Sequence, residues 1–235
     1  MSAPGDVFYR RQYTAMDYVL ALFFVLIFAF IFFFVTEVAF ERTGFTRLQF
    51  LVILGVALLG SYIDIPIWRF KQTKPTVVIQ EVRAFWVTYR IPQYVRQQVN
   101  TVIAVNVGGA MVPLVVTAIL LHEHPDIWLG ALAATLLTAA VVHLVAQVVE
   151  GVGIVAPTFL PPIAAVFFSL PFGMTDLAIT AYIAGTLGTL IGADLSNLRK
   201  VAEQGGAHVA SIGGAGKFDG IFLTGIVAVL IASIV

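Results

Sequence analysis

The chain has no cysteine and unusually little charge. Only 11% of its 235 residues are charged, whereas 60% are hydrophobic; in a typical soluble domain about a quarter are charged. Without cysteine there is no disulfide, thiolate metal site or cysteine nucleophile. The formal net charge is zero, so the sequence gives no reason to expect binding to nucleic acid. This composition indicates a membrane protein with several spans.

The hydrophobic residues are concentrated in seven segments of roughly membrane-spanning length. A helix needs about 20 residues to cross ~30 Å of hydrocarbon. The first four segments are uninterrupted apolar runs, and the fifth contains several prolines. We therefore predict an all-α bundle of about seven transmembrane helices in a single domain, residues 1–235. The predicted spans are residues 18–38, 48–68, 101–121, 127–149, 152–172, 177–198 and 218–235.

Lysine and arginine are distributed unevenly between the two sides of this bundle. With the N-terminus in the cytoplasm, seven spans place eleven of the 13 basic residues inside and only Arg42 and Arg47 outside. An excess of basic residues on the cytoplasmic side is typical of membrane proteins. The sequence thus predicts an integral membrane protein with its N-terminus inside, its C-terminus outside, and the lipid bilayer as a partner.

The longest connector between predicted spans, residues 69–100, is cytoplasmic in this topology. Between Pro75 and Pro92 its β-branched, aromatic and polar residues alternate, a pattern typical of strands. The segment is also basic, and Phe85 and Trp86 suit the depth of the lipid headgroups. The sequence therefore predicts either a short β-hairpin or an amphipathic segment lying on anionic lipid.

A few acidic and amide side chains lie within the spans, near the cytoplasmic side. Asp64 is near the inner end of the second span, and Asn106 enters the third from the same side. Asp194 and Asn197 lie near the inner end of the sixth span, and Asp219 opens the seventh. Groups of this kind are costly inside a bilayer and often mark function. These five residues are the candidate site.

Asp194 and Asp219 lie at adjacent ends of two consecutive antiparallel helices in the predicted bundle. Two carboxylates held within a few Å of each other cannot both ionise at low cost, so one keeps a proton. Such a pair can act as acid and base on a water molecule, which is the chemistry of aspartyl proteases. Asp64, Asn106 and Asn197 would then surround the pair.

The same residues allow two other interpretations. Spans three and five contain glycine and proline, and broken helices with buried acids are typical of ion-coupled transporters. Asp64, Asn106, Asp194 and Asp219 would then supply oxygen ligands or proton acceptors for a monovalent cation. In the third interpretation the protein is a non-catalytic membrane scaffold, and Asp219 only caps the N-terminus of its helix.

Residues 216–232, GKFDGIFLTGIVAVLIA, resemble the start of the seventh helix of presenilins and signal peptide peptidases. In those intramembrane aspartyl proteases a Gly-x-Gly-Asp motif precedes an apolar helix, and the partner acid lies near the inner end of the sixth helix. Phe218 stands where the motif has its second glycine. The resemblance implies that Asp219 and Asp194 are catalytic acids that act on transmembrane peptides without a cofactor.

Three motifs, NVGGAMVP, IGADLSNL and GGAGKFDGIFLTG, are similar to those of an uncharacterised family of prokaryotic membrane proteins. That family is known only as a domain of unknown function, and the similarity covers most of the chain. It implies a location in the prokaryotic cytoplasmic membrane, and it implies no particular activity.

Overall fold

The computed structural model describes residues 15–84, 87–149, 153–172, 176–204, 209–214 and 220–235, and this part of the chain is mostly helical. These residues include two π-helical segments: π1 (Val107–Met111) begins the helical stretch 107–123, and π2 (Leu190–Leu195) interrupts the helical stretch 177–204. The α-helices are α1 (Ala15–Arg42), α2 (Arg47–Gly60), α3 (Val112–Glu123), α4 (Trp128–Val145), α5 (Leu160–Ser169), α6 (Leu177–Thr189), α7 (Ser196–Gln204) and α8 (Gly220–Ala232).

In the described part of the chain, five strands form one three-stranded and one two-stranded sheet. In the larger sheet β1 pairs with β2 in an antiparallel hairpin, and β5 pairs with the last residues of β2 in parallel. In the smaller sheet β3 and β4 are antiparallel neighbours. The strands are β1 (Asp64–Ala84), β2 (Val87–Asn106), β3 (Gln147–Val149), β4 (Gly153–Val155) and β5 (Val209–Ile212).

The hairpin of β1 and β2 is the main departure from the predicted all-α bundle. Its strands contain 21 and 20 residues, which at ~3.3 Å per residue gives a ribbon roughly 65 Å long. It is therefore far longer than the short hairpin predicted for residues 69–100. Because alternating β-branched residues continue into the apolar runs on both sides, residues 64–68 and 101–106 of two predicted spans belong to strands.

Within the residues that the structure describes, three helical stretches are long and apolar enough to cross a membrane: Tyr18–Arg42, Pro125–Val145 and Leu177–Val201. Four further apolar helices have between 10 and 17 residues. Among these, α2 ends at Gly60 after 14 residues, and α5 contains only 10. The helices support a membrane protein, while the count of seven spans and the orientation of the termini stay predictions.

The centre of the bundle is formed by α4, α6 and α8, which pack closely because glycines line α6 and π2. A Cβ atom placed on Gly188 would lie 2.7 Å from Thr138 Cγ2, and one on Gly185 would lie 3.3 Å from Thr224 Cγ2. A Cβ on Gly192 would overlap the backbone of α4. Small residues of this kind let membrane helices approach each other. As a result, π2, which contains Asp194, packs closely against α4.

Helix α1 is attached to this bundle mainly by its last turns. Only 6% of its most apolar 18-residue window is buried. Near its end, Phe40 is buried and its ring lies 5.6 Å from that of Phe50 and 6.4 Å from that of Phe222. The apolar residues exposed along the rest of α1 suit a helix that faces lipid.

Candidate functional site

Asp194 lies in π2, at the break between α6 and α7. The side chain is half-buried, and its Oδ2 atom accepts a hydrogen bond from the backbone N–H of Gly213 at 2.8 Å. Gly213 follows strand β5, so this bond joins two segments that are distant in sequence. The predicted site residue Asp194 is thus held by a backbone donor from the turn after β5.

Asn197 lies in the first turn of α7, directly after π2. It is 1% exposed, and its Nδ2 atom donates to the backbone oxygen of Ala193 at 2.9 Å. His143 of α4 supports the same break, because its Nδ1 atom lies 2.8 Å from Ser196 Oγ, and Ser196 donates to the Gly192 oxygen. Asn197 is thus bonded to the backbone of the break that contains Asp194, and its place around a carboxylate pair stays a prediction.

Asn106 ends β2 and caps π1. Its Oδ1 atom accepts the N–H of Gly109 at 2.8 Å, and its Nδ2 atom donates to the backbone oxygen of Ser61 at 2.8 Å. The same Nδ2 atom donates to Asp64 Oδ1 at 3.1 Å. Asn106 is 3% exposed, so these bonds satisfy a buried amide whose loss would be costly. The structure thus brings the predicted residues Asp64 and Asn106 together.

Ser211 is a site residue that the sequence did not single out. It lies in β5, and its hydroxyl donates to Asp64 Oδ1, the atom that also accepts from Asn106. We call Asp64, Asn106 and Ser211 the hairpin lock, because they join the first residue of β1, the last residue of β2 and the neighbouring strand β5. The pairing of β5 with β2 places Ser211 beside Asp64.

The turn of residues 211–214 lies between the two π-helical breaks. Gly213 has a φ of +72°, and a Cβ atom there would lie 2.6 Å from Ala110 Cβ and 2.7 Å from Ala110 N. Only glycine therefore fits this close contact with π1. On its other side the same residue donates to Asp194 of π2. The turn consequently connects the hairpin lock with Asp194.

A cavity of about 530 Å³ opens beside Asp194, a volume within the usual range of ligand sites. Among the described residues that line it, Asp194 is the one ionisable side chain. Thr189 and Thr224 add hydroxyl groups, and proline and aliphatic residues before and within α5 and α8 form most of the remaining wall. The cavity is thus an apolar chamber with a carboxylate at its edge.

One face of α1 forms part of the lining of this cavity. Phe28, Ile31, Phe32 and Val35 line it, and their spacing of three, four and seven residues places them on a single helical stripe. The sequence interpretation assigned α1 no role beyond crossing the membrane. Periodicity does not distinguish this stripe, because the other faces of α1 are equally apolar.

Asp219 lies outside the described residues, so its separation from Asp194 stays a prediction. Gly220, the next residue in the chain, begins α8 and lines the same cavity as Asp194.

The described residues contain no group of three or more His, Asp or Glu side chains suited to a metal ion. Asp64 is held by side chains of the hairpin lock, whereas Asp194 is held by the backbone of Gly213. Asn106 turns its amide nitrogen toward Asp64 and uses its oxygen to cap π1. In this conformation the oxygen of Asn106 is engaged, so a cation bound by Asp64, Asn106 and Asp194 together would require rearrangement.

Comparison with curated proteins gave no significant match, and comparison with solved structures gave none either. The resemblance to presenilins and the prokaryotic origin therefore stay expectations. A family model described as a protein of unknown function, DUF1614, matches residues 58–231. This region contains the hairpin, both π-helical breaks and Asp194, while α1 precedes it. The chain belongs to the DUF1614 family.

Proposed function

We propose that this protein is an intramembrane aspartyl protease in which Asp194 and Asp219 activate a water molecule. The observation that carries the proposal is the cavity of about 530 Å³: Asp194 is the ionisable residue among its described lining, and Gly220, the residue directly after Asp219, also lines it. An acid that lines an apolar pocket is a common arrangement for acid and base catalysis.

The chemistry follows from a pair that shares one proton. The ionised carboxylate removes a proton from water, while the protonated carboxyl group donates its proton to the carbonyl oxygen of the peptide. Water oxygen bonds to the carbonyl carbon, and the tetrahedral intermediate then breaks its C–N bond as the amine nitrogen takes up a proton. No metal or cofactor is needed to balance these steps.

The apolar lining supports a transmembrane peptide as the substrate. Phe28 and Phe32 of α1 line the cavity together with Leu223 and Val227 of α8, and such a lining favours aliphatic and aromatic side chains. Exclusion of bulk water would also strengthen the interactions of both carboxylates with the reacting groups. A soluble, strongly charged peptide fits this lining poorly.

We also propose the topology of the protein in the membrane. It has about seven transmembrane spans, with the N-terminus on the cytoplasmic side and the C-terminus on the opposite side. The uneven distribution of Lys and Arg supports it. The chain lacks native cysteine, so single cysteines replacing Lys74 and His122 can be labelled without background in right-side-out and inverted vesicles. We expect Lys74→Cys to react from the cytoplasmic side and His122→Cys from the other. Labelling of both from one side would contradict the topology.

The activity is tested with purified protein, transmembrane peptides and two variants, Asp194→Asn and Asp219→Asn. Each removes a carboxylate but keeps its size, so each should abolish cleavage while the melting temperature stays near that of the wild type. Asp176→Asn is the matched control, because Asp176 precedes α6 at its other end, roughly 25 Å away at 1.5 Å per residue. Cleavage by Asp219→Asn at the wild-type rate would end the proposal.

A cation- or proton-coupled transporter is the second candidate. It is favoured by π2, which interrupts a helix at Asp194, and by π1, which begins a helical stretch directly after Asn106. Irregular or broken helices can supply backbone oxygens to ions. In this case sodium ions or protons should raise the melting temperature, and Asp194→Asn should remove the effect. Ion-dependent stabilisation without proteolysis would favour transport. Absence of both results would leave a non-catalytic membrane scaffold.

A further inference from the structure

We infer that the hairpin lock, formed by Asp64, Asn106 and Ser211, positions Asp194. These residues do not line the cavity with Asp194, so they are positioning residues and take no part in a reaction themselves. The role in catalysis rests on the proposed protease function. The mechanical connection rests on hydrogen bonds and packing alone, and it can be tested separately.

The first step is the attachment of Ser211 to the base of the hairpin. Asp64 Oδ1 accepts from both Ser211 Oγ and Asn106 Nδ2. Asn106 is itself fixed by its bonds to Ser61 and Gly109. A hydrogen bond to a charged acceptor contributes more than a neutral one, and two donors converge on one oxygen here. Ser211 is therefore held in a defined position relative to β1 and π1.

The second step is the rigidity of the turn that follows. Ser211 and Gly213 are two residues apart, and Gly213 is pressed against Ala110, which is fully buried. The parallel pairing of β5 with residues 102–105 of β2 fixes the chain just before the turn. A displacement of Ser211 would therefore be transmitted to Gly213, because the intervening backbone has little room to absorb it.

The third step is the bond from Gly213 to Asp194. A backbone N–H directed at Oδ2 fixes the rotamer of the carboxylate and leaves Oδ1 for water or for the partner acid. Catalytic groups must be held within a fraction of an ångström to be effective. The hairpin lock thus sets the direction of the Asp194 carboxylate through the backbone N–H of Gly213. Its members Asp64 and Asn106 are distant from Asp194 in sequence.

The test uses Ser211→Ala and Asp64→Ala, which each remove one side of the lock. Asp64→Asn is the conservative variant, because its amide oxygen can still accept from Ser211 and Asn106. Ser233→Ala is the matched control, since Ser233 donates only within the last turns of the chain, to Val229. The first readout is the carboxyl stretching band of Asp194 in infrared spectra, identified by its absence from Asp194→Asn.

We expect Ser211→Ala and Asp64→Ala to shift this band and its dependence on pH, whereas Asp64→Asn and Ser233→Ala leave both unchanged. With a cleavable peptide, kcat should fall between about tenfold and about a hundredfold in the two lock variants, with KM nearly constant, because misplacement of a reacting group affects the chemical step. Ser211→Ala removes a single hydroxyl, so it decides the question if Asp64→Ala does not fold.

The outcomes separate the two proposals. A shifted Asp194 band in a protein that cleaves no peptide would support the lock and refute the protease. Cleavage that depends on Asp194 and Asp219 but is unaffected by Ser211→Ala, with an unchanged band, would overturn the lock. A lower melting temperature with an unchanged band would show that the lock only stabilises the fold, which also overturns the inference.

Discussion

Replacing Gly213 by alanine tests the contact on which the site depends. A residue with a Cβ atom at a φ of +72° costs about 1–2 kcal/mol in backbone strain. The new Cβ would also lie 2.6 Å from Ala110 Cβ and 2.7 Å from Ala110 N, and overpacking of this kind costs about 1–3 kcal/mol. We therefore expect Gly213→Ala to lower the free energy of unfolding by about 2–5 kcal/mol.

Gly44→Ala is the matched control for this change. Gly44 also has a positive φ, +90°, but a Cβ atom there would have nothing within 4 Å. Its replacement should therefore cost only the backbone strain, about 1–2 kcal/mol. Reversible unfolding in detergent micelles, followed by circular dichroism, measures both variants. Equal losses for Gly44→Ala and Gly213→Ala would refute the close approach of the turn to π1.

Three other substitutions have defined outcomes in the same unfolding assay. Gly192→Ala should lower the free energy of unfolding by about 1–3 kcal/mol, because its Cβ atom would overlap α4. Gly55→Ala should raise the free energy of unfolding by up to about 1 kcal/mol, because a Cβ atom there has nothing within 4 Å. A larger loss for Gly55→Ala than for Gly192→Ala would contradict the packing of π2 against α4. Thr46→Ala removes the capping box of α2 and should cost about 1 kcal/mol; no loss would contradict the cap. Arg47→Ala should destabilise more than Arg47→Ala combined with Glu37→Gln, because the single change leaves buried Glu37 unpaired; equal losses would show that the pair is not coupled.

The sequence predicted the apolar helices well where they are long. The stretches Tyr18–Arg42, Pro125–Val145 and Leu177–Val201 correspond to three of the predicted spans. It did not predict the length of the hairpin, because an apolar run such as TVIAVN fits a strand and a helix equally well. About twenty residue pairs between β1 and β2 make this run a strand. Their register depends on the partner strand, so it cannot be read from the run itself.

The candidate site was partly predictable. The predicted topology placed the acidic residues near the cytoplasmic ends of the helices. In the structure, Asn106 donates a hydrogen bond directly to Asp64. The path from these residues to Asp194 could not be predicted, because it passes through the backbone of Gly213 and a hydroxyl, Ser211, with no distinctive spacing. The pairing of Asp194 with Asp219 stays a prediction.

The π-helical segment Leu190–Leu195 has a consequence for the direction of Asp194. A π turn contains one residue more than an α turn, and one residue corresponds to a rotation of about 100° around a helix with 3.6 residues per turn. Removing a single apolar residue from π2 would restore an ordinary helix and leave the composition almost unchanged, yet it would rotate the carboxylate relative to Gly185 and Gly188, which face the bundle. The direction in which Asp194 points therefore depends on the number of residues in π2 as much as on their identity.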